Sequence, residues 1–152
     1  MKVVRLELDH EVVELPVGPL RFFLIAGAVV DLLGAIGFRF MPEQLASMMG
    51  VPVPNTDFWP RYSAVFLFVL PFFYLIAAVN PARYLANAAA AVLARFAGFV
   101  FYLAMFLKYD SRKAFLVLAS MNLAFAVIYW WLLRPTGWSR AWASLRSARE
   151  LP

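Results

Sequence analysis

Apolar residues fall into four long blocks along the chain, each flanked by basic or turn-forming residues. They cover about 20–40 between Arg21 and Arg39, about 62–79 between Arg61 and Asn80-Pro81, about 85–107 between Arg83 and Lys108, and about 114–133 between Lys113 and Arg134. A helix rises about 1.5 Å per residue, so about twenty apolar residues cross the roughly 30 Å hydrocarbon layer of a bilayer. The pattern predicts an all-α integral membrane four-helix bundle. Pro71 lies inside the second block, where it leaves one backbone carbonyl unpaired and predicts a kink. Short connections between blocks two and three and between blocks three and four predict antiparallel neighbours.

The segments outside the blocks have other periods. In the polar N-terminal segment, 1–19, Val4, Leu6 and Leu8 alternate with Arg5, Glu7 and Asp9, the period of a strand. Asp9 and His10 suit its turn, so a β-hairpin and a frayed tail are both open. After block one, MPEQLASMMG predicts a short surface helix with Pro42 in its first turn, Leu45, Met48 and Met49 as its apolar side, and Gly50 as its stop. Phe58 and Trp59 have the character of an interfacial aromatic belt. Asp110 or Ser111 can cap the fourth helix. In the tail, 135–152, Trp138, Trp142 and Leu145 share a stripe at helical spacing, which predicts an amphipathic helix in the headgroup region whose arginines reach lipid phosphates. No internal repeat and no matched pair of broken helices is visible.

Composition agrees with the pattern: 64% of residues are hydrophobic and 15% charged, where soluble domains have about half and a quarter. The net charge of +5 sits mostly at block ends, where it meets lipid headgroups, with no basic stripe or aromatic platform to read nucleic acid. The first fifteen residues carry four acids and no apolar core, so no cleavable signal peptide is expected. Four crossings put both termini on one side, and that side holds eight Lys or Arg against five in the opposite loops, or six against five without Lys2 and Arg5. The bias predicts cytoplasmic termini.

Candidate chemistry is sparse. The chain has no cysteine and one histidine, His10, in the N-terminal segment, which removes thiol chemistry and bis-histidine haem ligation. No metal site or cofactor is expected. Asp31 is the only acid within a block, so paired-carboxylate acid–base work has no second partner, and the residues lean away from an enzyme. Two ionisable groups lie deep in the apolar blocks, Asp31 and Arg95, and such groups are functional candidates because the bilayer makes them costly. Asp31 lies ten residues past Arg21, and Arg95 twelve past Arg83, on helices that cross in the same direction. Their depths therefore differ by about 3 Å. Asn122, nine residues past Lys113 from the other side, reaches the same level.

The helical faces match these depths. Gly27, Asp31, Gly34 and Phe38 line one side of the first span, and Ala91, Arg95, Gly98 and Tyr102 one side of the third. Ala86, Ala90, Ala94 and Gly98 form a small-xxx-small row, the pattern by which helices approach closely in lipid. An inward Asp31–Arg95 ion pair follows, both groups charged, with Asn122 taking a remaining hydrogen bond. It either sets helix register or forms a ligand, proton or ion site. Phe66, Phe72, Phe73, Tyr74, Phe96, Phe99, Phe101 and Phe106 either pack and face lipid or line a site for a quinone, carotenoid or lipid tail.

Span one followed by MPEQLASMMGVPVP and a second span is similar to small bacterial four-helix inner-membrane proteins of the DoxX-like type. The resemblance covers about the first half of the chain and implies the same fold in a bacterial inner membrane. This chain has Arg61 and no acid in span two, where many chains of that type carry a glutamate, so no functional residue is carried over. Three functions are expected, in this order. The first is a noncatalytic subunit or assembly factor of a larger membrane complex, with membrane lipids and other subunits or a second copy as partners. The second is a binder or carrier of a small hydrophobic or anionic ligand at the Asp31/Arg95 level. The third is a quinone-linked membrane oxidoreductase component, weakened by the missing glutamate.

Overall fold

A computed structural model describes residues 4–8, 11–51, 58–108 and 113–136. The expected Asp9–His10 turn, the Asp110 or Ser111 cap and the tail helix carrying Trp138, Trp142 and Leu145 lie outside those residues. Four long helices, α1 (Val17–Phe40), α3 (Phe58–Val79), α4 (Leu85–Lys108) and α5 (Lys113–Leu133), are long and apolar enough to cross a membrane. With α2 (Pro42–Met49) between the first two, they make a multi-pass membrane helix bundle. The outward surface is apolar, with Phe22, Leu33, Val65, Val117 and Trp131 each more than half exposed. Such a surface suits lipid.

Two helices begin earlier than the apolar blocks predict, and both contain a proline close to their start. Pro19 lies three residues into α1, and Pro60 three residues into α3. The first turn of a helix has no intrahelical acceptor for its N–H groups, so a residue without one is tolerated there and does not mark a boundary. Upstream, β1 (Val4–Leu8) and β2 (Glu11–Leu15) pair antiparallel, with Val4 opposite Leu15 and Leu8 opposite Glu11. Leu15 at the end of β2 is fully buried in the core at the terminal end of the bundle.

α1 packs mainly on α3 and α4 mainly on α5, while the α3–α4 and α1–α5 seams are thinner. Short links therefore do not decide which helices pack best. The turn between α3 and α4 is closed by Asn80, which accepts the Arg83 N–H at its side chain at 3.2 Å and at its carbonyl at 3.1 Å.

Two expected faces are corrected. On α2, Ala46 is buried, Leu45 and Met49 are half-buried, and Met48 is 78% exposed, so the buried stripe runs one residue away from the expected one. Gly50 does end the helix, at φ 65°, donating its N–H to the Ser47 carbonyl at 3.0 Å. On α4, Ala88, Ala89, Ala91 and Val92 are buried, whereas Ala90 of the small-residue row is exposed. The charged Arg95 fixes the inward face, and Ala90 is five residues from it, on the opposite side of the helix.

The bundle is filled unevenly. The half nearer the termini is a packed core of Leu20, Leu24, Ala77, Ala88, Tyr129 and Leu132 with their neighbours. The half nearer α2 is hollow.

Candidate functional site

At the border between the two halves, α1 presents Asp31, α4 presents Arg95 and α5 presents Asn122, all buried. Arg95 Nη1 lies 2.8 Å from Asp31 Oδ1 and donates to Asn122 Oδ1 at 3.4 Å. Arg95 Nη2 donates to the Gly27 carbonyl at 2.8 Å, one turn before Asp31. Asn122 Nδ2 donates to the Leu118 carbonyl of its own helix at 2.9 Å, which leaves its oxygen turned to the arginine. The three residues that share a depth and an inward face in the sequence are thus brought together.

The guanidinium is also held by aromatic faces. Its carbon lies 5.3 Å from the Tyr74 ring centre and 5.0 Å from that of Phe125, within cation–π range. Tyr129, fully buried, donates its hydroxyl to the Phe23 carbonyl at 2.8 Å, a link from α5 to α1 beside those that Arg95 makes from α4. Glycine makes both approaches possible. A Cβ on Gly27 would collide with the Tyr129 hydroxyl and sit 3.1 Å from Arg95 Nη2, and one on Gly98 would sit 2.8 Å from Asn122 Oδ1. Phe125 and Tyr129 are not among the residues expected from sequence. They lie three and seven positions past Asn122 on the same helical face, the spacing by which they are recognisable.

Two buried atoms of this cluster, Asp31 Oδ2 and Arg95 Nε, have no hydrogen-bond partner among the described residues. Most buried polar atoms in folded proteins are paired, so this pair of exceptions marks the place where hydrogen-bonding capacity is unspent. Both residues border a cavity of about 650 Å³. Its floor is Asp31, Arg95 and Asn122, its walls include Gly34, Leu67, Gly98 and Met121, and Leu45, Met48 and Met49 of α2 stand at its far end. Small-molecule sites span about 300–1,000 Å³ and combine apolar walls with a few polar groups, which this cavity does.

Of the eight aromatics named above, Tyr74 and Phe101 line the cavity. Phe66, Phe72, Phe73 and Phe96 are about half exposed on the outer surface, in the position of lipid contacts. Among the described residues, no three His, Cys, Asp or Glu side chains come together. His10 lies outside them. Comparison of the chain with models of known families, with curated proteins and with solved structures gave no match.

Proposed function

We propose that the chain is a membrane-embedded binder or carrier of a small hydrophobic molecule with a polar head, seated with the head at Asp31, Arg95 and Asn122. The observation that carries this reading is the cavity of about 650 Å³ that ends on a buried charged cluster with unspent hydrogen-bonding atoms. Burying the pair costs desolvation that its mutual attraction repays only when further hydrogen bonds satisfy its remaining atoms, and a ligand head in the cavity would supply such bonds. The test is to extract the protein into lipid nanodiscs and weigh the intact complex, beside the variant Gly34→Leu. Gly34 lines the cavity, and a Cβ there meets only Leu67 Cδ1, at 3.4 Å, so a larger side chain fills the space without striking backbone. A small-molecule adduct on the native chain and none on Gly34→Leu is the expected result. Identical spectra from the two would overturn the reading.

A second reading, a noncatalytic subunit or assembly factor of a larger complex, draws on Ala90, a small residue exposed on the outer face of α4 where another helix can approach. Cross-linking in the membrane from Ala90→Cys tests it; with no native cysteine, any cross-link comes from that position. For place and orientation we adopt a bacterial inner membrane with both termini in the cytoplasm, on the excess of Lys and Arg at the terminal side. The hollow half of the bundle then faces the outer leaflet.

A further inference from the structure

The hydrogen bonds around the cavity floor restrict what head group it takes. Of the charged pair, Arg95 already donates to Asp31, Asn122 and the Gly27 carbonyl, and Asp31 accepts through Oδ1 alone. Asn122 has its oxygen engaged by Arg95 and its nitrogen by Leu118. Asp31 Oδ2, a carboxylate acceptor, and Arg95 Nε, a guanidinium donor, are buried without a partner among the described residues, and Tyr74 and Tyr102 also border the cavity. The two charges cancel, so an anionic head gains from Arg95 about what it loses to Asp31, and a cationic head the reverse. A neutral hydroxyl both donates and accepts and meets the pair on both counts.

The tail has a route as well. On α4, Ala94, Ala97 and Phe101 line the cavity at helical spacing, and Ala97 and Phe101 are exposed, Phe101 by 54%. Across the thin α3–α4 seam, the half-buried Leu67 and Leu70 of α3 also line the cavity. Ala97 lies two residues past Arg95, about 3 Å along the axis, so this exposed edge of the cavity lies near mid-bilayer among acyl tails.

Building on the proposed binding role, we infer that the ligand is a neutral, hydroxyl-headed, single-tailed amphiphile whose head sits at the Asp31–Arg95 pair and whose tail runs along Ala97 and Phe101 to the bilayer. Three probes with one tail separate the head groups: oleyl alcohol donates and accepts, methyl oleate only accepts, and oleyl phosphate is an anion. Each is doped at equal mole fraction into nanodiscs holding the intact chain, and adducts are counted by native mass spectrometry. The alcohol should bind about tenfold or more tighter than either of the others, equivalent to about 1.4 kcal/mol per tenfold. That preference should fall to about one in the double variant Asp31→Leu with Arg95→Leu. Equal binding of alcohol and ester, both lost in Gly34→Leu, would overturn the hydroxyl rule and leave the binding role standing. Preference for the phosphate would overturn it in favour of an anion site. If no probe binds, and Gly34→Leu and the native chain carry the same adducts, both the rule and the binding role fail. These comparisons on the native chain decide the matter even where the double variant fails to fold.

Discussion

Arg95 and Asp31 meet at 2.8 Å across the diagonal of the bundle, between two helices that are not close backbone neighbours. α1 belongs to the pair it forms with α3, and α4 to the pair it forms with α5. The Arg95 bonds to Asp31 and Gly27 and the Tyr129 bond to Phe23 all run from the second pair to α1. In lipid the hydrophobic effect does not draw helices together, so packing and such polar links carry the association. The same links hold the two pairs together beside the cavity.

Removing one partner of the ion pair should therefore harm the fold more than removing both. Arg95→Leu strands Asp31 as a buried charge, at a cost of about 3 to 5 kcal/mol, less if the carboxyl takes up a proton. Asp31→Leu with Arg95→Leu together should recover most of the loss, since an apolar pair of similar volume is often neutral or better. Reversible unfolding in detergent of the four proteins of this cycle measures the coupling directly. Additive losses would mean that the contact contributes nothing to the fold.

Gly27 tests how closely the two pairs approach. Gly27→Ala places a methyl group against the Tyr129 hydroxyl and Arg95 Nη2, and overpacking of this kind costs about 1 to 3 kcal/mol. Gly18→Ala on the same helix meets nothing within 4 Å and is the matched control. A lower melting temperature for the first and an unchanged or higher one for the second is expected. Equal values would show that the site yields to the extra methyl group.

The polar cluster was legible in the sequence because depth and face are both periodic quantities. Asp31, Arg95 and Asn122 can be placed by counting from the nearest basic residue at a helix end and by the 3.6-residue turn. The cavity was not legible, for a reason visible at Gly34, Ala94 and Gly98. A small residue in a membrane helix either admits a neighbour or leaves space, and which occurs depends on the side chain opposite. At Gly98 the neighbour arrives, as Asn122; at Gly34 only the tip of Leu67 comes near, 3.4 Å from where a Cβ would lie, and Gly34 and Ala94 both border the cavity. The start of α1 and of α3 was obscured by proline, whose effect depends on its place within a helical turn.

Tyr129 offers a cleaner perturbation than the charged pair, because its neighbours stay intact. Tyr129→Phe keeps the ring in its buried position and removes the hydroxyl that donates to the Phe23 carbonyl and lies beside Arg95. Side-chain hydrogen bonds between membrane helices average about 0.6 kcal/mol, with a maximum of about 1.7. A loss in that range in detergent unfolding is expected, with the fold unchanged by circular dichroism. A loss above about 3 kcal/mol would mean that the hydroxyl does more than bond to α1, since it then exceeds any single bond of its kind.

Orientation can be read at α2, which lies between the first two spans and so on the side opposite the termini. The chain has no cysteine, so Met48→Cys introduces a single thiol, and at 78% exposure its position is not shielded by the protein. On the proposed orientation, with both termini in the cytoplasm, α2 lies outside it. A membrane-impermeant maleimide should then label Met48→Cys from the outer face of intact spheroplasts, and a cysteine replacing Arg134 only after the membrane is opened. The reverse pattern would place the termini outside and turn the hollow half of the bundle toward the cytoplasm. Met48 also borders the cavity. Labelling there should slow when the cavity is filled by the substitution Gly34→Leu only if α2 moves with the cavity's contents, so equal rates in the two backgrounds would show α2 to be a fixed cover.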